Sequence, residues 1–239
     1  TKLVLLCVNI SILQRVSMSK KQVSFFQLMS EAGEELQNKE NVWTKHPRPQ
    51  FCREEWYSLN GMWELEGHPI RVPFVPESRL SGYQGNIKES MTYRKRFQKP
   101  DFQTYGRVLL HFQAVDQIAK VFLNDICLGE HEGGYAPFSF DITDVLAEGD
   151  NYLEVKVIDE LDYEYPYGKQ CKKRGGMWYT PTSGIWQSVW LEPVPDVYVN
   201  DLKLTPDMQG VRIQCNRNIP EAADESLLAD IFLHTGEVH

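Results

Sequence analysis

From Trp56 onward, apolar and polar residues alternate in short runs. Met62-Trp63-Glu64-Leu65-Glu66, Thr92-Tyr93-Arg94-Lys95-Arg96-Phe97, residues 108–114, 119–123 and 153–158 all repeat with a period of two, the spacing of strands that bury one face. Asn124-Asp125 separates two apolar runs as a hairpin turn does, and Gly133-Gly134 and Gly149-Asp150 mark further bends. Strands at this spacing with no long helix between them predict an all-β fold of sandwich type. The run beginning at Trp186 places Trp186, Ser188 and Trp190 on one side and Gln187, Val189 and Leu191 on the other, so this strand is expected to be covered on both faces. Just before it, Pro181 and Ser183-Gly184 predict a sharp turn that holds the rings of Trp178 and Tyr179 in place. Trp63, Trp186 and Trp190 are assigned to the core.

The pattern changes at both ends. Phe25, Met29, Ala32 and Leu36 recur at helical spacing, predicting a short amphipathic helix that either packs on the sandwich or docks on a partner subunit. Asn41 to Arg53, with Pro47 and Pro49, reads as a linker. After Pro193 and Pro195 a second strand pattern starts at residues 197–199, 202–204, 211–213 and 228–233. The expected division is therefore an extension (1–44), a main sandwich (45–195) and the opening strands of a second one (196–239), the last with an uncovered apolar face.

Charge and composition narrow the function. The net charge of −8 argues against nucleic-acid and anionic-membrane partners, both of which need a concentrated basic face. The basic cluster from Lys169 to Arg174 is short and interrupted. Five dispersed cysteines without Cys-x-x-Cys spacing predict reduced thiols, and the six histidines show no paired metal-ligand spacing, so neither a metal nor another cofactor is expected. The apolar run after Lys2 imitates a secretory signal, but Asn9, Ser11 and Gln14 dilute it and no small-residue cleavage site follows. With Met18 reading as a natural start, the expected location is the cytoplasm; secretion follows if residues 1–17 act as a weak signal.

The run Arg174-Gly175-Gly176-Met177-Trp178-Tyr179-Thr180-Pro181-Thr182-Ser183-Gly184-Ile185-Trp186-Gln187 closely resembles the end of the N-terminal sugar-binding domain of family 2 glycoside hydrolases. The resemblance continues backward through Asn60-Gly61-Met62-Trp63, Val72-Pro73-Phe74-Val75-Pro76-Glu77-Ser78, Tyr93 to Phe97, Val121 to Asn124, Gly133 to Phe138 and Gly168-Lys169-Gln170. The last of these is similar to the β-galactosidase branch. The resemblance implies a jelly roll, then an immunoglobulin-like domain, then a barrel whose two glutamates cleave a β-glycoside with retention. Because such a barrel needs about 250 residues, this chain is expected to be the non-catalytic N-terminal portion, inactive alone. The parent enzyme is expected to be a homo-oligomer acting on a β-glycoside. A freestanding carbohydrate-binding module is the alternative.

In that family the loop before the Trp-Tyr-Thr-Pro turn reaches toward the active site, which makes Arg174, Trp178 and Tyr179 the implied substrate contacts. Aromatic rings suit the role because a pyranose has an apolar C–H face; the competing reading is that they plug an interface. Some relatives carry an acid just ahead of the aromatic, where this chain has Gly175-Gly176. Asp159, at a strand end, is the candidate for the missing polar contact, with turn capping as its other reading. Asp141 and Asp144 read as a turn and not as a catalytic pair.

Overall fold

The computed structural model describes residues 29–37, 39, 42–104, 106–161, 164–172 and 176–218. The chain divides into two compact units, Thr1–Glu31 and Ala32–His239, and the sheets belong to the second. The helix α1 spans Glu31–Gln37; of the expected apolar stripe it carries Ala32, which is exposed, and Leu36, which is half-buried, and the residue it buries is Gly33. Met29 precedes the helix, and Phe25 lies outside the described residues.

Two antiparallel sheets face each other. One has four strands in the order β1 (Tyr57–Ser58), β12 (Val189–Val194), β5 (Arg107–Phe112), β9 (Phe138–Asp141). The other has six, in the order β3 (His68–Val72), β2 (Gly61–Leu65), β4 (Ser90–Gln98), β10 (Asp150–Ile158), β7 (Ile118–Leu123), β8 (Ile126–Glu132). The period-two residues fill the space between them: Trp63 and Leu65, Met91, Tyr93 and Phe97, and Leu153, Val155 and Val157 meet Leu110, Phe112, Val189 and Leu191. Such burial supplies most of the stabilisation, at about 1.5–3 kcal/mol for each large side chain. On the outer side of the six-stranded sheet, Arg94 bonds both Glu154 (3.0 Å) and Glu64 (3.4 Å), its cross-strand neighbours.

The turn between β7 and β8 has Asn124 and Asp125 at φ 51° and 66°, the paired left-handed geometry that matches the twist of a hairpin. Asn124 then ties the hairpin down, donating to Val145 O (2.8 Å) and Asn151 Oδ1 (2.9 Å) and accepting from Tyr152 N (2.9 Å).

β12 is covered on both faces, as its sequence predicts. Val189 and Leu191 enter the inter-sheet core, whereas Trp190 and Glu192 lie under the segment from His46 to Arg53. Trp186 departs from expectation. It lies before the strand, is only partly buried, and spends its indole N–H on Gly134 O (2.7 Å), so it belongs to a loop junction and not to the core. Trp63 and Trp190 are core residues.

β13 (Val199–Asp207) and β14 (Gly210–Arg217) form a hairpin on which Leu204, Val211 and Ile213 stay exposed. The expected strand at 228–233 lies outside the described residues.

Candidate functional site

The aromatic turn is built against a loop that precedes it. Tyr179 N donates to Lys169 O (2.9 Å), Gln170 and Tyr179 form a bridge, and Thr182 N donates to Gln170 Oε1 (2.7 Å). These bonds join Gly168-Lys169-Gln170 to the Trp-Tyr-Thr-Pro turn. Trp178 and Tyr179 are 49% and 65% exposed, and the Lys169 ammonium lies 5.7 Å from the Tyr179 ring centre. Two large rings are thus left in solvent by a fixed backbone. Arg174 lies outside the described residues.

Beyond Pro181 the turn is locked from below. Ser183 Oγ and N donate to the two oxygens of Glu77, at 2.7 and 3.3 Å. Gly184 comes next at φ 75°, and a Cβ there would fall 2.0 Å from Tyr93 Oη, so both conformation and contact require glycine. Gly184-Ile185 (β11) pairs with Val115-Asp116 (β6), which sets Asp116 opposite Gly184. Asp116 in turn lies against Gly134, where a Cβ would meet its Oδ1 at 2.2 Å. Tyr135, next in that loop, is exposed and stands edge-on to Trp186 with ring centres 5.9 Å apart.

Asp159 closes the set. It comes directly after β10, donates its N–H to Glu89 O (2.8 Å), and accepts from Leu161 N (3.3 Å), so the expected capping role is present. It also lines a small cavity of about 230 Å³ with Gln117, Ile118, Tyr165 and Tyr167.

Three carboxyls are therefore gathered at this end of the sandwich. Burial, followed by the charges of Asp159 and Glu77, pushes Asp116 up to about 7. Burial also raises Glu77, against the opposing bonds from Ser183. Asp159 is raised by burial too, opposed by the Leu161 N–H and by Lys172, which is itself bonded to Glu89. Carboxylate oxygens accept hydrogen bonds from hydroxyl groups, and a carboxyl poised near 7, as Asp116 is, also donates one when protonated.

Glu77 and Asp116 were not among the residues expected at the site. Asp116 does leave a trace in the sequence, as a charge interrupting the apolar run from Ala114 to Ala119. Glu77 sits inside a recognised motif but reads there as an ordinary turn acid. Among the described residues no cluster of His, Cys, Asp and Glu could hold a metal, Cys52, Cys127, Cys171 and Cys215 are free, and no helix is long and apolar enough to cross a membrane.

Residues 65–186, just over half of the chain, match the glycosyl hydrolase 2 galactose-binding domain-like family. The chain belongs to this family. The matched span runs from the end of β2 to Trp186, and so contains the aromatic turn and all three acids. A β-galactosidase of Thermoanaerobacter pseudethanolicus is 34% identical over 153 residues, which cover 61% of this chain and 20% of that protein. A β-glucuronidase of Formosa agariphila is 28% identical over 119 residues, covering 49% of this chain and 12% of that protein. The chain thus spans a fifth or less of these relatives. The structure of a β-glucuronidase from Ruminococcus gnavus superposes with a TM-score of 0.56 at 20% identity, over 70% of this chain and 35% of that one, which shows the shared fold.

Proposed function

We propose that this family 2 domain is the N-terminal, non-catalytic portion of a retaining β-glycosidase of β-galactosidase type, and that it forms one wall of the substrate pocket. The observation that carries this reading is the pair of exposed rings, Trp178 and Tyr179, on a turn whose backbone is fixed by Gln170 and Glu77. A soluble domain gains nothing from holding two large aromatics in water, whereas a sugar or an adjoining domain supplies the missing cover. The carboxyls nearby in the fold supply acceptors for sugar hydroxyls, with Asp159 the residue among them that lines a cavity. Arg174 remains a proposed contact on the strength of its place in the motif. The parent enzyme is proposed to be a cytoplasmic homo-oligomer, a placement resting on the dispersed cysteines and the family likeness.

The test uses the full-length gene product with nitrophenyl β-galactoside. Trp178→Ala is expected to lower kcat/KM about tenfold or more, a loss of about 1.4 kcal/mol of transition-state binding, with little change in Tm. Normal kinetics combined with a Tm several degrees lower would make the rings an interface plug. A gene product without hydrolytic activity would favour the freestanding module.

A further inference from the structure

The loop between β8 and β9 carries a further exposed ring, Tyr135, and it is anchored on the side from which the chain arrives. Gly133 N donates to Gln117 O (2.9 Å), Gly134 O accepts from the Trp186 indole (2.7 Å), and Gly134 is packed against Asp116 too closely to admit a Cβ. These anchors belong to one short frame, the β6–β11 ribbon: Asp116 lies in β6, Gln117 follows it, and Trp186 follows β11. The aromatic turn enters the same ribbon through Ser183 and Gly184. Both loops are therefore held to a common support. The anchors use backbone groups, and they leave the Tyr135 ring 55% exposed.

Trp186 accounts for both the position and the aim of that ring. Its N–H fixes the carbonyl just before Tyr135, and its indole meets the tyrosine edge-on with ring centres 5.9 Å apart. A tryptophan that leaves the strand pattern to do this is explained by the loop it holds. The Tyr135 phenol is raised first by burial and then by the charges of Asp116 and Asp159, so it keeps its proton near neutral pH and remains a hydrogen-bond donor. A phenol donor within the field of two acids offers what a substrate hydroxyl needs, since such a group accepts one hydrogen bond and donates another.

We propose that Tyr135 is a specificity-determining residue of the β-glycoside pocket, its hydroxyl donating to one substrate hydroxyl, and that Trp186 is the positioning residue that aims it. This inference rests on the reading of the domain as a wall of that pocket. A site built to hydrogen-bond a hydroxyl rejects the analogue that lacks it, because the protein donor is then left unpaired.

The test measures kcat/KM of the full-length gene product on nitrophenyl β-galactoside and on each of its monodeoxy analogues. Tyr135→Phe is expected to lower kcat/KM on the galactoside about five- to tenfold, and to leave it unchanged for the one analogue that lacks the partner hydroxyl. A loss of equal size on every substrate would be that of a structural residue and overturns the proposal. Trp186→Phe keeps a ring beside Tyr135 and removes the indole N–H. It should cost about threefold or more in the parent and add nothing in the Tyr135→Phe background, a non-additivity expected of residues that act as a unit; additive losses remove its positioning role. Trp178→Ala serves as the control on the pocket reading. If it lowers kcat/KM while Tyr135→Phe does not, the pocket reading stands and this inference falls. If neither changes kcat/KM, or the gene product is inactive, the pocket reading falls and this inference with it.

Discussion

Glu192 and Asp116 are both buried acids of one sandwich, and they end in opposite electrostatic states. Glu192, fully buried on β12, accepts from Arg48 Nη2 (3.0 Å), Arg53 Nε (3.1 Å), His111 Nε2 (3.1 Å) and His46 Nε2 (3.2 Å). Burial alone would raise it, but the bond and charge of His111 together with the charges of Arg53 and Arg48 outweigh that and hold it down to about 2. Asp116, 4% exposed on β6, has no cation among the described residues to offset its burial; burial first, and then the charges of Asp159 and Glu77, push it up to about 7. Burial raises both acids; what separates them is that cations offset it at Glu192 and further acids add to it at Asp116. The Glu192 cluster fastens the proline-containing segment 46–53 over the sheet, and through Arg53 Nη2 it reaches Val199 O (2.8 Å) at the start of the C-terminal hairpin. The Asp116 cluster lowers stability once its acids ionise, because the folded state holds them above their ordinary values.

The comparison is broken most directly at Glu192. Glu192→Ala leaves two guanidinium groups and two imidazoles around a vacant centre, and losing one partner of a buried ion network costs about 3–5 kcal/mol. Urea unfolding at pH 7 should show that loss. The parent chain should show the same effect through pH: because the folded value lies below the ordinary 4.5, the stabilisation is present above pH 4.5 and disappears as pH falls toward about 2. A Glu192→Ala change of less than about 1 kcal/mol would remove the distinction between the two clusters.

Asp116→Asn should act in the other direction. The folded value of about 7 exceeds the ordinary 3.8, so ionisation favours the unfolded chain. The penalty is absent below pH 3.8, grows between there and about 7, and is constant above. Asp116→Asn is therefore expected to stabilise the chain by up to about 4 kcal/mol at pH 8 and by almost nothing at about pH 3.5. Melting at those two pH values checks it, and a pH-independent change would show that the mutation acts through packing against Gly134.

The same contrast explains how much of the molecule is legible in its sequence. Strand positions, the Asn124-Asp125 hairpin and the doubly covered strand after Ser188 depend on local spacing, and this is visible in the sequence. A helix does lie near Leu36, but its buried residue is Gly33 while Ala32 is exposed, so the apolar spacing marks the element and not the face it buries. Partnership across long sequence separations is not: Glu192 gathers groups from residues 46, 48, 53 and 111, and Ser183 finds Glu77. Trp186 misleads for a related reason, since its alternation with Trp190 is that of a strand while its indole is claimed by Gly134. Asp159 reads in sequence as either a cap or a site residue, and it both caps Leu161 and lines a cavity.

Tyr93→Phe tests whether strain extends into the core beside the acids. The Tyr93 hydroxyl is buried, pressed toward Gly184, and has no well-formed hydrogen bond among the described residues; burial, with a lesser push from Glu77, raises its pKa. Removing an unsatisfied buried hydroxyl should be neutral or stabilising by up to about 1 kcal/mol. A loss of more than that in chemical unfolding would reveal a hydrogen bond that matters to the turn.

The smallest expected effect on stability belongs to the residues with the strongest functional reading. Trp178 and Tyr179 bury about half or less of their surface, and neither side chain holds the turn: Tyr179 pairs through its backbone, while Gln170 and Glu77 fix Thr182 and Ser183 just beyond it. Exposed side chains without structural partners usually change stability by less than about 0.5 kcal/mol. Trp178→Ala and Tyr179→Ala should therefore leave the stability of this chain, measured by urea unfolding, within that limit, in contrast to Glu192→Ala. The Lys169 ammonium near the Tyr179 ring is the contact that could give a measurable difference, and at an exposed site it is worth about 0.5–1 kcal/mol. If Tyr179→Ala exceeds that while Trp178→Ala does not, the tyrosine is a brace for the Gly168–Gln170 loop, and only the tryptophan remains as a candidate sugar platform.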